Sequence, residues 1–123
     1  FDADNLLTMV VPLMPKYADP STRLAFYEPI LEGVRALPGV RGAAFGSALP
    51  FQSTGFTSAF SVEGRQRLPG DDLDALIRVG TADYLRTLRV TLVEGRLLDA
   101  RDSANAPLAV VVNETLVRRF MPG

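Results

Sequence analysis

Two groups of polar residues in this 123-residue chain have types and a spacing that catalysis can use. Asn113 and Glu114 directly follow the apolar run 108–112, and such strand–helix junctions hold ligand-binding residues in many α/β enzymes. Asp99 and Asp102 are separated by two residues and could form a carboxylate pair for acid–base work. Each group also has a structural explanation, as a helix N-cap and as a turn cap that pairs with Arg96 or Arg101. We favour the structural explanation for both.

Three further motifs have weaker claims to chemistry. Asn113 begins an N-x-[ST] glycosylation pattern, but a buried strand–helix junction is hard for a transferase to reach. A glycine group lies inside a predicted strand and fits neither the dinucleotide-binding nor the P-loop spacing, which favours close packing. An acidic group lacks the further ligands of a calcium loop, which favours a solvated loop. The two groups are Gly39, Gly42, Gly46 and Asp71, Asp72, Asp74.

The composition excludes several classes of function. The chain has neither cysteine nor histidine, which removes thiol nucleophiles, imidazole bases and the commonest metal ligands. Its net charge is −1 and its arginines form no basic stripe, so nucleic acid and anionic membrane surfaces are poor partners. The length fits a single domain spanning residues 1–123, and the composition predicts no Ser-His-Asp chemistry, no metal and no cofactor.

The hydrophobic pattern predicts the element order β-α-β-β-β-α-β-α. The fold class is α+β, a mixed sheet with helices packed on it, and ferredoxin-like βαβ units are the nearest common topology. The predicted strands cover residues 6–14, 40–50, 56–63, 73–80 and 108–112. The predicted helices run from Pro20 to Pro38-Gly39, from a cap at Thr81 to Leu88, and from Glu114 to about Phe120.

Several details of these elements can be checked against the structure. Pro29 should kink the first helix, because proline removes an interior hydrogen bond. The small residues of the 40–50 strand should admit a close neighbour. Residues 108–112 are apolar on both faces and should form a central, buried strand. Ala75, Ile77 and Val79 should share one face of their strand, and the 56–63 strand should be half-buried.

Phe51 and Phe56 bracket a Ser/Thr/Gly loop and are the candidate partner-contact residues. If they are exposed, they could anchor a partner or touch lipid. If they are not, they are strand ends packed into the core. The sequence leaves these two alternatives open.

Several segments together resemble the periplasmic core domain of MacB-type ABC transporter permeases, and in particular large FtsX-like permeases of acidobacteria. The resemblance covers essentially the whole chain. It rests most on "LPGV" at 37–40, on "ADYLRTL" followed by "VEGR", and on "VVVNETLVRRF" followed by "PG". The order and spacing of these segments match the family, although Pro29 stands where the relatives carry an ordinary helix former.

The resemblance implies an extracytoplasmic domain excised from a longer membrane permease, with a porter-like fold. Such a domain is not an enzyme, and it transmits ATP-driven conformational change to substrates or partners outside the cytoplasmic membrane. The implied partners are an ATP-binding subunit or domain, a second permease protomer and a periplasmic adaptor, with no nucleic acid. The alternative is a periplasmic sensor module that captures a peptide or antibiotic directly. An enzyme that uses Asp99 and Asp102 is the least favoured hypothesis.

Overall fold

The chain forms a small α+β fold. A computed structural model describes residues 2–12, 15, 19–51, 56–66, 70, 73–103 and 105–121. Within these residues there are three helices and one two-stranded antiparallel sheet. In chain order the elements are α1 (Pro20–Arg35), β1 (Phe56–Ala59), β2 (Asp74–Ile77), α2 (Tyr84–Thr87) and α3 (Glu114–Phe120).

Strands β1 and β2 form a hairpin. They pair from Phe56 opposite Ile77 to Ala59 opposite Asp74, and the Phe60 N–H extends the ladder by donating to the Leu73 carbonyl at 3.0 Å. In β2, Ala75 and Ile77 are half-buried on one face, as the alternation predicts. The half-buried strand expected at 56–63 is wrong for β1, whose four residues are all exposed. Among the described elements β1 packs only against β2, so neither of its faces is covered.

The strand expected at 40–50 does not form. In its place two backbone segments meet at Gly46 and Gly80, a contact that we call the glycine crossing. Gly46 and Gly80 form an isolated antiparallel bridge, flanked by hydrogen bonds from the Ser47 N–H to the Val79 carbonyl (2.7 Å) and from the Thr81 N–H to the Phe45 carbonyl (3.0 Å). The bridge pairs residues 45–47 with residues 79–81, and the latter lead directly into α2. Val79 lies beyond the end of β2 and is exposed, which corrects the prediction that it shares a strand face with Ala75 and Ile77.

The Tyr84 ring packs against the glycines of this crossing. A Cβ atom built on Gly46 would lie 2.7 Å from Cδ2 of the Tyr84 ring, and one built on Gly80 would lie 2.8 Å from its Cγ. The Tyr84 hydroxyl donates to the Ala48 carbonyl at 2.6 Å. Partial burial raises the pKa of this hydroxyl, so it stays a donor at neutral pH. The predicted close packing is confirmed, with an aromatic ring as the packing group.

Helix α1 begins at Pro20, as predicted, and continues without interruption through Pro29 to Arg35. Leu31 is its buried anchor, and Tyr27 packs on Phe45 with ring centroids 4.2 Å apart. Past its end, Gly39 adopts a left-handed conformation with φ of 84°, which glycine accepts without steric strain.

Helix α2 is shorter than the predicted span of 81–88. It begins at Tyr84, and its N-cap residue, Asp83, makes no side-chain cap hydrogen bond. The Thr81 hydroxyl, predicted to cap this helix, instead accepts from the Phe45 N–H at 3.1 Å. Thr81 therefore stabilises the glycine crossing instead of capping α2.

The apolar runs 6–12 and 108–112 form no strand in the structure, which corrects both expectations. Residues 13 and 14 lie outside the described part of the chain. Leu7 is 86% exposed and Val110 is 81% exposed, so the central, buried strand at 108–112 is wrong. A strand is stable when a neighbour satisfies its N–H and C=O groups. Among the described residues no strand lies beside either run.

We expect Gly46→Ala to lower the free energy of unfolding by about 1–3 kcal/mol, because the new methyl group overpacks against the Tyr84 ring. Urea unfolding measures this loss. The matched control is Gly33→Ala in α1, where nothing lies within 4 Å of the added Cβ and helix propensity predicts a gain of up to about 1 kcal/mol. Equal stability of the two variants would contradict the importance of the Tyr84 contact.

Candidate functional site

Both candidate partner-contact residues lie on the surface. Phe51 is 97% exposed and has a left-handed backbone with φ of 64°, and Phe56, the first residue of β1, is 54% exposed. The loop 52–55 between them lies outside the described residues. Their exposure decides against the packing of these rings into the core. Exposed aromatic side chains can anchor a partner where they form one contiguous patch.

The predicted carboxylate pair forms a compact cluster with two arginines. Arg96 donates to both carboxylate oxygens of Asp102, at 2.7 and 2.8 Å, and its nearest contact to Asp99 is 3.8 Å. Arg101 donates to Asp99 from Nη2 at 2.7 Å and from Nε at 3.0 Å. The Asp99 N–H donates to Asp102 at 2.9 Å, and the Arg101 N–H donates to Asp99 at the same distance. Capping of this turn and pairing with arginine are both confirmed.

These contacts hold both carboxylates in the ionised form. Hydrogen bonds from the Arg96 side chain, followed by that from the Asp99 N–H, lower the pKa of Asp102 to about 2. The Arg101 side chain, followed by its backbone N–H, lowers the pKa of Asp99 well below its usual range. A general acid at neutral pH needs the opposite shift. The geometry therefore favours a structural role for this pair.

Asn113 and Glu114 serve helix α3. The Asn113 side chain accepts from the Leu116 N–H at 2.9 Å, which satisfies one free donor of the first turn. Glu114 pairs with Arg118 one turn later at 3.3 Å, and the charges at both ends of the helix suit its dipole. The predicted N-cap is confirmed, but Asn113 is exposed rather than at a buried junction.

The remaining sequence motifs are dispersed. Tyr84 covers Gly46, while Gly39 lies in the turn after α1, so the glycines form no phosphate cradle. Asp74 is exposed at the start of β2, and residues 71 and 72 lie outside the described part. In the described ranges no three acidic side chains are grouped so that they could hold a metal ion.

The structure also forms a cleft that the sequence analysis does not identify, between the turn 62–65 and the end of α3. Phe120 lies in it and packs edge-on against Phe60, with centroids 5.3 Å apart. The Cζ atoms of Arg65 and Arg119 lie 5.5 and 5.0 Å from the centroid of the Phe120 ring. Because Arg65 and Phe120 are far apart in sequence, no local pattern could have brought them together.

The chain matches no protein-family model, no curated protein and no solved structure. In the part of the chain that the structure describes, every helix is too short or too polar to cross a membrane. The function therefore has to be argued from the residues and their geometry.

Mutation of Asn113 tests whether this residue is a helix N-cap. We expect Asn113→Ala to lower the free energy of unfolding by about 1 kcal/mol through loss of the hydrogen bond to the Leu116 N–H. Asn113→Asp keeps an acceptor and should retain most of the stability. Thermal or urea unfolding followed by circular dichroism measures both variants. An unchanged stability in Asn113→Ala would contradict a stabilising cap at this residue.

The arginine–aspartate cluster predicts acid sensitivity. Carboxylates in an unfolded chain titrate near about 3.9, while the folded pKa of Asp102 is about 2. The cluster's contribution is therefore present above about pH 4 and is lost as the pH falls through the folded pKa. We expect Asp102→Asn to flatten the pH dependence of unfolding between about pH 4 and 2.

Urea unfolding at a series of pH values measures that slope. The control is Asp74→Asn, which removes a carboxylate that is exposed at the start of β2. If the two variants have the same slope as the unaltered chain, the Arg96–Asp102 pair makes no contribution.

Proposed function

We propose that the chain is the extracytoplasmic domain of an ABC transporter permease and passes ATP-driven conformational change to substrates or partners outside the cytoplasmic membrane. The observation that carries this proposal is the exposed apolar run 108–112 joined to the Asn113-capped helix α3. It is one of the three segments on which the family resemblance rests most. A surface this apolar favours burial against another part of a larger assembly.

The finer fold follows from the same proposal. In the assembled permease the run 108–112 and the run 6–12 are strands of a mixed sheet, which gives ferredoxin-like, porter-like βαβ units around the observed hairpin. Their residue types support this, because β-branched and aliphatic side chains fit a pleated sheet that is covered on its faces.

Contacts between separate segments support a mechanical role. The Asp2 carboxylate pairs with the Arg89 guanidinium, and the Asp2 N–H donates to the Leu88 carbonyl at 3.2 Å. Arg89 also donates to the Asp4 carbonyl at 2.9 Å. The N-terminal segment is thus tied to the end of α2, so that a displacement of one is transmitted to the other.

A second set of contacts continues this connection to α1. Asp83, at the start of α2, accepts from Arg86 at 2.6 Å and from Arg35, the last residue of α1, at 3.0 Å. Arg35 donates in addition to the Ala43 carbonyl at 2.9 Å. Single exposed ion pairs stabilise little, but together they link the first residues of the chain to α1 and to the glycine crossing.

The proposal includes partners and a location. The partners are an ATP-binding subunit or domain on the cytoplasmic side, a second permease protomer and a periplasmic adaptor, with no nucleic acid. The domain itself lies outside the cytoplasmic membrane, is not an enzyme and uses no cofactor.

The alternative function is a periplasmic sensor that captures a peptide or antibiotic directly. The exposure of Phe51 and Phe56 favours it. The small residues of the 40–50 segment add no open surface for such a ligand at Gly46, because the Tyr84 ring covers it. Calorimetry with cell-envelope peptides distinguishes the two functions, because only a sensor captures such a ligand without the rest of the permease.

Cysteine labelling tests the permease proposal, because the chain has no native thiol. We expect Val110→Cys to react rapidly with a maleimide in the isolated chain and slowly in the full-length membrane protein, where the run 108–112 is covered. Glu28→Cys on the exposed side of α1 is the control and should react rapidly in both. Rapid labelling of Val110→Cys in the full-length protein would overturn the proposal.

The full-length gene supplies a second readout. We expect it to encode an apolar span of roughly 20 residues upstream of Phe1, the length that crosses a bilayer, with an ATPase encoded in the same protein or nearby. A gene product without an upstream span would also overturn the proposal.

A further inference from the structure

We propose that residues 2–6 form a strap, fastened by Arg89, that holds the end of α2 in a strained conformation and opens together with it. In the closed state, which the structure shows, the strap lies beside Leu88 and Arg89 has a left-handed backbone. In the open state the strap leaves Leu88, and Arg89 returns to an ordinary backbone conformation. The inference goes beyond the permease function, because it rests only on these contacts and holds for any protein that contains them.

Helix α2 ends in a Schellman motif whose glycine position is occupied by an arginine. The Arg89 N–H donates to the Arg86 carbonyl at 2.9 Å, and the Val90 N–H donates to the Leu85 carbonyl at 3.0 Å. These two bonds define the motif and require a left-handed residue at Arg89, which has a φ of 52°. Glycine is usual there, because a residue with a Cβ atom is strained in this conformation. Another contact therefore has to offset the strain at this helix end.

The strap supplies that contact through the side chain of the same arginine. The Arg89 guanidinium pairs with the Asp2 carboxylate and donates to the Asp4 carbonyl at 2.9 Å. The Asp2 N–H donates to the Leu88 carbonyl at 3.2 Å. Because one planar guanidinium reaches two residues of the strap, it fixes the position of the strap and not only its charge partner. Glycine at position 89 would relieve the strain but could not hold the strap.

The strap is folded on itself, so it moves as a unit. The Asp4 N–H donates to the Asp2 carboxylate at 2.9 Å, and the Leu6 N–H donates to the Ala3 carbonyl at 3.2 Å. Asn5 has a second left-handed backbone, with a φ of 60°, which asparagine tolerates better than most residues. These local bonds do not involve Arg89 and can persist when the strap leaves α2.

Opening of the strap uncovers part of the core. Leu88 is only 4% exposed, and Ala3 and Leu6 of the strap line a small cleft together with it. The Asp2 and Arg89 side chains are each 46% exposed, and an exposed ion pair stabilises little. The difference in free energy between the closing contacts and the strain at Arg89 is therefore small. The strap can open without unfolding of the rest of the chain.

Amide hydrogen exchange tests the coupling between the strap and the helix end. We expect Asp2→Asn to speed exchange of the Val90 N–H by about fivefold, the upper end of what an exposed ion pair contributes, because an unpaired Arg89 no longer stays left-handed. The Phe60 N–H, in the hairpin, is the internal reference and should exchange at an unchanged rate. Asp4→Asn is the control variant and should leave both amides unchanged, because Asp4 offers Arg89 only its backbone carbonyl.

Two substitutions of Arg89 separate the ion pair from the backbone strain. Arg89→Ala removes the pair and keeps the strain, so the Val90 N–H should exchange faster, as in Asp2→Asn. Arg89→Gly also removes the pair, but glycine accepts the left-handed conformation, so the Val90 N–H should stay protected. The strap should open in both variants. A nitroxide on Asp4→Cys, the only thiol in the chain, reports this opening as a loss of its broadening of the amides of residues 88 and 90.

Three results would each overturn the inference. In the first, Asp2→Asn leaves the exchange of the Val90 N–H unchanged. In the second, exchange of the Phe60 N–H rises as much as that of the Val90 N–H, which marks a general loss of stability instead of opening of the strap. In the third, the nitroxide broadens the amides of residues 88 and 90 as strongly in Arg89→Gly as in the chain with Arg89 intact.

Discussion

The packing of one tyrosine ring against two glycines is the contact on which the rest of this small fold depends. Tyr84 occupies the space next to the Gly46–Gly80 bridge, and its hydroxyl donates a hydrogen bond to the Ala48 carbonyl. Tyr84 is also the first residue of α2. Its side chain therefore connects this helix to Gly46, in the segment after α1, and to Gly80, in the segment after β2. A larger residue at either glycine would separate these three segments.

Charged contacts extend this junction outward. Asp83 links α2 to Arg35 at the end of α1, and Arg89 links the segment after α2 to Asp2. The Arg96–Asp102 and Arg101–Asp99 pairs close a separate turn. Each pair is partly exposed and contributes modestly alone. In each pair an arginine binds a carboxylate. This accounts for Asp99 and Asp102, the two carboxylates that the sequence offers for acid–base catalysis.

The sequence predicts those features that depend on near neighbours along the chain. The start of α1 at Pro20, the Asn113 cap of α3 and the pairing of Asp99 and Asp102 with arginines all follow from local chemistry. The apolar runs 6–12 and 108–112 read as strands, but a strand also requires a partner, and its pattern cannot show whether one is present. The cleft at Phe120 was missed for a related reason, since its two walls are joined only by the tertiary fold.

The Asn113 cap has a consequence for the apolar run before it. The cap holds Asn113 in an extended conformation, with φ of −82° and ψ of 158°, and α3 begins at the next residue. Any strand that forms from 108–112 must therefore stop at a fixed point. Because neighbouring side chains of a strand face opposite ways, a slip of one residue would exchange its two faces. The cap thus fixes which side chains would share a face in any strand that forms there, with Leu108, Val110 and Val112 on the same side.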